Sequence, residues 1–95
     1  MDKEFEHFVW DEEKEISNFL KHGIAFMEAR EVFRDPNRRI IVDKRHSGQE
    51  ERYFCVGLVN GRLITVRFTY RKEKVRIIGA GIWRMGRKHY HEKKL

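Results

Sequence analysis

Residues 51–80 read ERYFCVGLVNGRLITVRFTYRKEKVRIIGA, and their pattern predicts the central part of a β-sheet. We predict three antiparallel strands in this stretch, at residues 52–59, 62–70 and 75–80. The dipeptide Asn60-Gly61 between the first two strands indicates a two-residue type I′ turn, because both central positions of that turn need a positive φ. Such a turn fixes the register, since antiparallel partners recede from it one for one. Val59 is then expected opposite Arg62.

Alternation along each strand sorts these side chains between two faces of the sheet. The face predicted to cover the core is almost wholly apolar and carries Tyr53, Cys55, Gly57, Ile64, Val66, Phe68, Tyr70, Val75 and Ile77. With a second turn at Lys72-Glu73, the other face has a row formed by Arg52, Thr69 and Arg76, with Arg67 diagonal to it. Like charges across strands are unfavourable unless neutralised, so the row indicates a phosphate site. The alternative is a solvated face whose arginine stems cover apolar surface.

The bulk composition describes one small basic domain. The chain has 95 residues, 40% of them hydrophobic, a net charge of +6 and a pI of about 9.7. This hydrophobic content argues against disorder, and the charge predicts an anionic partner such as RNA, DNA or an acidic protein. The single cysteine, Cys55, cannot form an internal disulfide, which suits a reducing cytoplasm. We expect no membrane association, because no apolar run approaches the roughly 18 residues that span a bilayer.

Two helices are predicted before the meander. Asp11 is a good N-cap residue for the first helix, which ends at Gly23 and carries a stripe predicted to be buried, formed by Ile16, Phe19 and Leu20. The second helix is predicted at residues 26–33, before Asp35-Pro36 stops it. Residues 5–10 could add an N-terminal edge strand.

The remaining segments complete an α+β prediction. Residues 39–43 indicate a fourth strand and residues 87–94 a short C-terminal helix. We therefore predict a single domain over residues 1–95 with two N-terminal helices, a four-stranded mainly antiparallel sheet and a C-terminal helix, rather than alternating βαβ units.

An ordered set of short motifs resembles a known family. The set contains Trp10-Asp11-Glu12, Lys14, Asn18, Lys21-His22-Gly23, Phe26, Phe33-Arg34-Asp35-Pro36, Arg45-His46-Ser47, Glu51-Arg52 and Val75-Arg76-Ile77-Ile78. In this order and spacing it resembles the BrnT toxins, which are ribonucleases of type II toxin–antitoxin pairs. The resemblance implies a RelE-like fold, RNA cleavage without a metal or other cofactor, and neutralisation by a BrnA-like antitoxin. That antitoxin carries a ribbon-helix-helix domain, so DNA contact is expected only through it.

One departure from the family bears on activity. Many members continue the last strand as a Ser-Ala-Arg run, whereas this chain has Gly79-Ala80-Gly81. The arginine expected at position 81 is therefore missing, and Arg84 or Arg87 could substitute for it. The departure keeps open a second function, a non-catalytic module that binds RNA or serves as the partner of a repressor.

Metal-free RNA cleavage needs a base, an acid and cations around the phosphate. Arg52 and Arg76 are the predicted phosphate ligands, and surface ion pairing with Glu50 or Glu51 is the alternative. Candidates for acid and base are His22, Lys21, His46 and Glu51. His22 could equally cap its helix, His46 could be an ordinary exposed histidine, and Glu51 is favoured to hold Arg52 in place.

Further basic residues are predicted to bind RNA. They are Lys21, Arg45, Arg84 and Arg87, with Arg67 and Thr69 on the sheet. The basic tail could instead be covered by an acidic antitoxin segment or be simply solvated. We predict no metal site, because the histidines lack the paired spacing of zinc ligands and only one thiolate is present.

Overall fold

A computed structural model describes residues 1–91 as an α+β domain built on one sheet. In chain order the elements are β1 (Asp2–Phe5), β2 (Phe8–Asp11), α1 (Glu12–His22), α2 (Phe26–Ala29), a 3₁₀ helix (Arg30–Arg34), β3 (Arg39–Val42), β4 (Tyr53–Val59), β5 (Arg62–Arg71), β6 (Lys74–Gly81) and α3 (Arg84–Tyr90). The six strands lie in the order β1-β2-β6-β5-β4-β3. Within residues 1–91, β2 and β6 are the only pair of strands that run parallel. Among the described residues, none of the helices is long and apolar enough to cross a membrane.

The predicted meander and its register are confirmed. Asn60 and Gly61 have φ of 49° and 80°, as a type I′ turn requires, and Val59 lies opposite Arg62. The second turn also has two positive φ values, 48° at Lys72 and 65° at Glu73. It places Thr69 opposite Arg76, as predicted.

A β-bulge interrupts the pairing of β5 with β6. Phe68 pairs with Ile77, but Arg67 pairs with Gly79, so Ile78 is the extra residue on β6. The bulge puts a glycine beside Arg67, where Ile78 would lie in an unbroken register. The bulge lies where α1 approaches β6, since Asn18 of α1 hydrogen-bonds to the backbone of Ala80.

The core lies between the sheet and the segment that contains α2 and the 3₁₀ helix. Ile24, Phe26, Ala29 and Val32 pack there against sheet residues that include Cys55, Ile64, Val66, Phe68 and Ile77. This confirms the predicted core face, apart from Tyr70, which is half exposed. On the opposite face α3 packs closely, and a Cβ atom at Gly86 would overlap the Thr65 hydroxyl.

The prediction of a four-stranded sheet is wrong. The chain begins with the β1–β2 hairpin, so helices do not come first, and β2 lies inside the sheet between β1 and β6 rather than at its edge. All four residues of β1 are exposed, so this strand has no apolar alternation to reveal it. The pairing of β2 with β6 joins residues far apart in sequence, which no local pattern encodes.

Three helix predictions also need correction. The stripe of Ile16, Phe19 and Leu20 was expected to be buried, yet no residue of α1 is buried, although Asp11 and Gly23 do cap the helix. The second helix is α-helical only over Phe26–Ala29 and continues as a 3₁₀ helix. The third begins at Arg84, and residues 92–94 of its predicted range lie outside the described residues.

Candidate functional site

A basic groove of about 220 Å³ lies where α1 crosses the bulged part of the sheet. Its lining comprises Lys14, Ser17, Asn18, Lys21 and His22 of α1, Arg67 of β5, Ile78 and Gly79 of β6, and Trp83. We call this site the α1 groove. Among the described residues that line it, several are basic and none is a carboxylate, so the groove favours an anion.

Trp83 joins the two basic sides of the α1 groove. Its ring centroid is 5.5 Å from that of His22, with the rings nearly perpendicular, and 6.0 Å from the guanidinium carbon of Arg67. The ring covers Gly81, where a Cβ atom would come within 2.5 Å of it. A side chain at position 81 and this placement of Trp83 therefore exclude one another. The departure from the family pattern at Gly81 has a structural counterpart in Trp83.

Asp43 connects Arg67 to the loop after β3. This carboxylate is only 4% exposed. Its Oδ2 atom lies 2.9 Å from His46 Nδ1 and 3.5 Å from Arg67 Nε. Ser47 fastens the loop, since its hydroxyl donates to the Asp43 carbonyl at 2.7 Å and accepts from the Arg52 amide at 2.9 Å. The result is a buried carboxylate that is hydrogen-bonded to a histidine and lies within ion-pair distance of an arginine.

This arrangement can perform proton transfer beside a phosphate. When Nδ1 of His46 donates to Asp43, Nε2 is the unprotonated nitrogen and can accept a proton. His46 is exposed, so substrate can reach that nitrogen. Arg67 contacts the same carboxylate and lines the α1 groove, so a phosphate bound by Arg67 would lie near a base that Asp43 orients.

The structure pairs one end of the predicted arginine row with a carboxylate. Both terminal nitrogens of Arg76 bind the Asp2 carboxylate at 3.0 Å, and this hydrogen bonding lowers the pKa of Asp2. Arg52 lines a different groove, together with His46, Glu50 and Arg71. Thr69 is buried and donates to the Glu51 carbonyl at 2.7 Å. Thr69 lies opposite Arg76 in register, and β1 supplies a counterion to that end of the row.

The other predicted site residues lie at several places. The Glu51 carboxylate accepts a hydrogen bond from Tyr53 at 2.9 Å, which raises the pKa of Tyr53. Lys21 and His22 line the α1 groove together with Arg67. Arg45, Arg84 and Arg87 are exposed. The structure thus brings His22, Lys21 and Arg67 together, and joins His46 to Arg67 through Asp43.

Asp43 and Trp83 were not predicted as site residues from the sequence. Asp43 did carry a signal, because a carboxylate that ends an apolar strand three residues before a histidine can reach that side chain. Trp83 lies outside the set of residues that the sequence predicts to bind RNA. In the part of the chain that the structure describes, no three His, Cys, Asp or Glu side chains cluster as metal ligands would.

Comparison with known proteins identifies one family. The model of a family described as "Ribonuclease toxin, BrnT, of type II toxin-antitoxin system" matches residues 10–85, which is most of the chain. No curated protein matches the chain. The matched range contains every residue of the α1 groove, as well as Asp43 and His46.

Proposed function

The chain belongs to the BrnT family of type II toxin–antitoxin ribonuclease toxins, and on that premise we propose that it is a metal-independent endoribonuclease whose site is the α1 groove. The observation that carries this proposal is a chain of contacts. Arg67 lines the α1 groove and contacts buried Asp43, and Asp43 in turn contacts His46. Arginine suits a phosphate because its planar fork pairs with two oxygens and stays charged.

The proposed reaction is an internal transesterification. His46 Nε2 takes the proton of the ribose 2′-hydroxyl, and that oxygen attacks the adjacent phosphorus. Arg67 stabilises the additional charge of the pentacovalent phosphate. His22 then gives a proton to the departing 5′-oxygen, which leaves a 2′,3′-cyclic phosphate and a 5′-hydroxyl. His46 gains one proton and His22 loses one, so the total number of protons on the protein does not change in this step.

The remaining basic residues fit the contacts of a longer RNA. Lys21 and Lys14 line the groove and would bind the reacting or neighbouring phosphate, while a base stacks on Trp83. Arg52, Arg76 and Glu51 stay candidates for catalysis, and Arg45, Arg84 and Arg87 stay candidates for RNA contacts. Buried Thr69 would act indirectly, by holding the Glu51 backbone. The proposed neutralising partner is a BrnA-like antitoxin, whose binding the net charge of +6 would favour if that partner is acidic.

Two arginines of the sheet provide the test. A labelled structured RNA is incubated with the parent chain, with Arg67→Ala and with Arg76→Ala, all in EDTA. We expect the parent to cleave, Arg67→Ala to lose on the order of 100- to 1,000-fold in rate, and Arg76→Ala to lose much less because Asp2 already occupies that guanidinium.

The opposite result would move the site to the arginine row. A greater loss in Arg76→Ala than in Arg67→Ala would contradict the groove. RNA binding by the parent without cleavage, both alone and with ribosomes added, would instead favour the non-catalytic module.

A further inference from the structure

The apolar side of α1 faces solvent. Ile16 is 60% exposed, Phe19 51% and Leu20 80%. Residues three and four apart on a helix are neighbours, so these side chains form one continuous patch, which we call the α1 stripe. Single exposed apolar residues are normal on a protein surface, but a contiguous patch on one helix marks an interaction site.

Polar side chains hold α1 in this orientation. The Glu15 carboxylate accepts from Trp10 Nε1 at 3.2 Å and from the Phe26 amide at 3.0 Å. Asn18 accepts from the Ala80 amide at 3.1 Å and donates to the Ala80 carbonyl at 2.9 Å. Turning the helix to bury the stripe would break these bonds and leave the indole N–H of buried Trp10 without this partner. The fold therefore specifies the exposure of the stripe.

Apolarity and charge indicate which kind of molecule covers the α1 stripe. An apolar patch offers nothing to an RNA phosphate. Two copies of this chain, each with a net charge of +6, would repel one another, whereas an acidic protein would be attracted by that charge. We propose that the α1 stripe docks an amphipathic helix of an acidic protein, the antitoxin of this toxin's own pair. The choice of partner rests on the function proposed above. Such a helix would present apolar residues at the matching three- and four-residue spacing.

Docking on the stripe is separable from catalysis. The α1 residues that line the groove are Lys14, Ser17, Asn18, Lys21 and His22, and none of them belongs to the stripe. A variant of the stripe can therefore lose the antitoxin and keep the RNA site. This separation gives the proposal a readout that damage to the active site would not produce.

The test compares Ile16→Gln/Leu20→Gln with Leu58→Gln, a matched control at a leucine that is 49% exposed on β4. Glutamine keeps helix propensity and adds no charge. Binding to the full-length antitoxin encoded in the same operon is measured by titration calorimetry, and RNA cleavage is measured without antitoxin. We expect the double variant to bind about a hundredfold more weakly or worse, at roughly tenfold for each buried side chain lost, and to cleave at the parental rate. Leu58→Gln should behave as the parent.

Two outcomes would contradict the docking proposal. Parental affinity of the double variant overturns it. So does a concentration-dependent dimer of the parent that disappears in the double variant on sedimentation, since the occupant is then a second copy. Thermal unfolding verifies the fold, and Ile16→Ala/Leu20→Ala replaces the double variant if that one does not fold. A parent that binds antitoxin through the stripe but does not cleave RNA would refute the catalytic proposal alone.

Discussion

Two aspartates of this protein are buried, and their partners differ in kind. Asp35 is 9% exposed and Asp43 is 4% exposed. Asp35 accepts from the backbone amides of Asn37 and Leu58, both at 2.8 Å, and from the Tyr90 hydroxyl at 2.6 Å. Asp43 instead contacts His46 and Arg67. The donors to Asp35 are neutral and fix the chain, whereas the partners of Asp43 can carry charge and face a groove or solvent.

The role of a buried carboxylate depends on the groups that donate to it. A carboxylate satisfied by backbone amides ties segments together, and Asp35 joins the start of the 3₁₀-to-β3 loop, β4 and α3. A carboxylate satisfied by functional side chains orients them for a ligand. We therefore expect changes at Asp43 to affect activity first and changes at Asp35 to affect stability first.

The largest expected effect is that of Asp43→Asn on cleavage. The variant keeps the shape of the side chain but loses its charge, and its amide can present a donor to His46, which favours the wrong tautomer. We expect the cleavage rate to fall on the order of 100-fold or more, because general base catalysis is lost. RNA cleavage and thermal unfolding are measured on the same preparation. If the activity falls only in proportion to the amount of folded protein, Asp43 acts on stability as Asp35 does, and the proposed difference between the two aspartates is wrong.

Asp35→Asn should show the reverse pattern. It weakens three charge-assisted hydrogen bonds, and we expect the free energy of unfolding to fall by about 1 to 3 kcal/mol. Chemical denaturation measures this change, and cleavage is compared below the unfolding transition. Activity per folded molecule should stay near that of the parent, because Asp35 does not line the α1 groove. Strongly reduced activity in a fully folded Asp35→Asn protein would contradict the assignment.

The sequence predicted what local chemistry controls. The pairs of β4 with β5 follow from Asn60-Gly61 and from alternation, and both are properties of neighbouring residues. The counterion of Arg76 could not be predicted in this way, because Asp2 lies 74 positions away and β1 has no apolar pattern. The predicted register therefore assigned side chains to the correct faces of the sheet. It could not show that the guanidinium of Arg76 is already paired with Asp2.

The candidate site was predictable only in part. Lys21, His22, Arg67 and His46 were identified by residue type, but the contact between Asp43 and Arg67 depends on how the loop after β3 folds back over the sheet. The orientation of α1 was predicted wrongly because apolar periodicity indicates a buried face. Here Glu15 and Asn18 hold the sheet side through hydrogen bonds, which override the pattern.

A smaller effect is expected for Trp83→Ala at the groove. Stacking of one base on an aromatic ring contributes enough that its loss should weaken RNA binding about tenfold. The measurement is the Kd for an RNA with a 2′-deoxy substitution that prevents cleavage. Trp83→Phe is the control, since it keeps a ring over Gly81 and should retain most of the affinity. Equal weakening in both variants would indicate that Trp83 shapes the groove without stacking on RNA.

The smallest expected effect is that of Tyr90→Phe, which removes one donor to Asp35. The hydrogen bond to Asp35, with burial, raises the pKa of Tyr90 to about 12. For Asp35, burial opposes ionisation, but hydrogen bonds from Leu58, Tyr90 and Asn37 outweigh it and lower the pKa below 3.8. We expect the variant to be less stable than the parent at neutral pH by about 1 kcal/mol.

This gap should close at both ends of the pH range. A raised pKa in the folded state means that the contribution of Tyr90 is complete below its ordinary pKa of about 10 and is lost as the pH rises toward 12. A lowered pKa means that the contribution of Asp35 is complete above 3.8 and is lost as the pH falls. Urea denaturation of both proteins across pH measures the gap. A gap that stays constant from neutral pH to pH 12 would show that the Tyr90 hydroxyl stabilises the fold through packing and not through the Asp35 carboxylate.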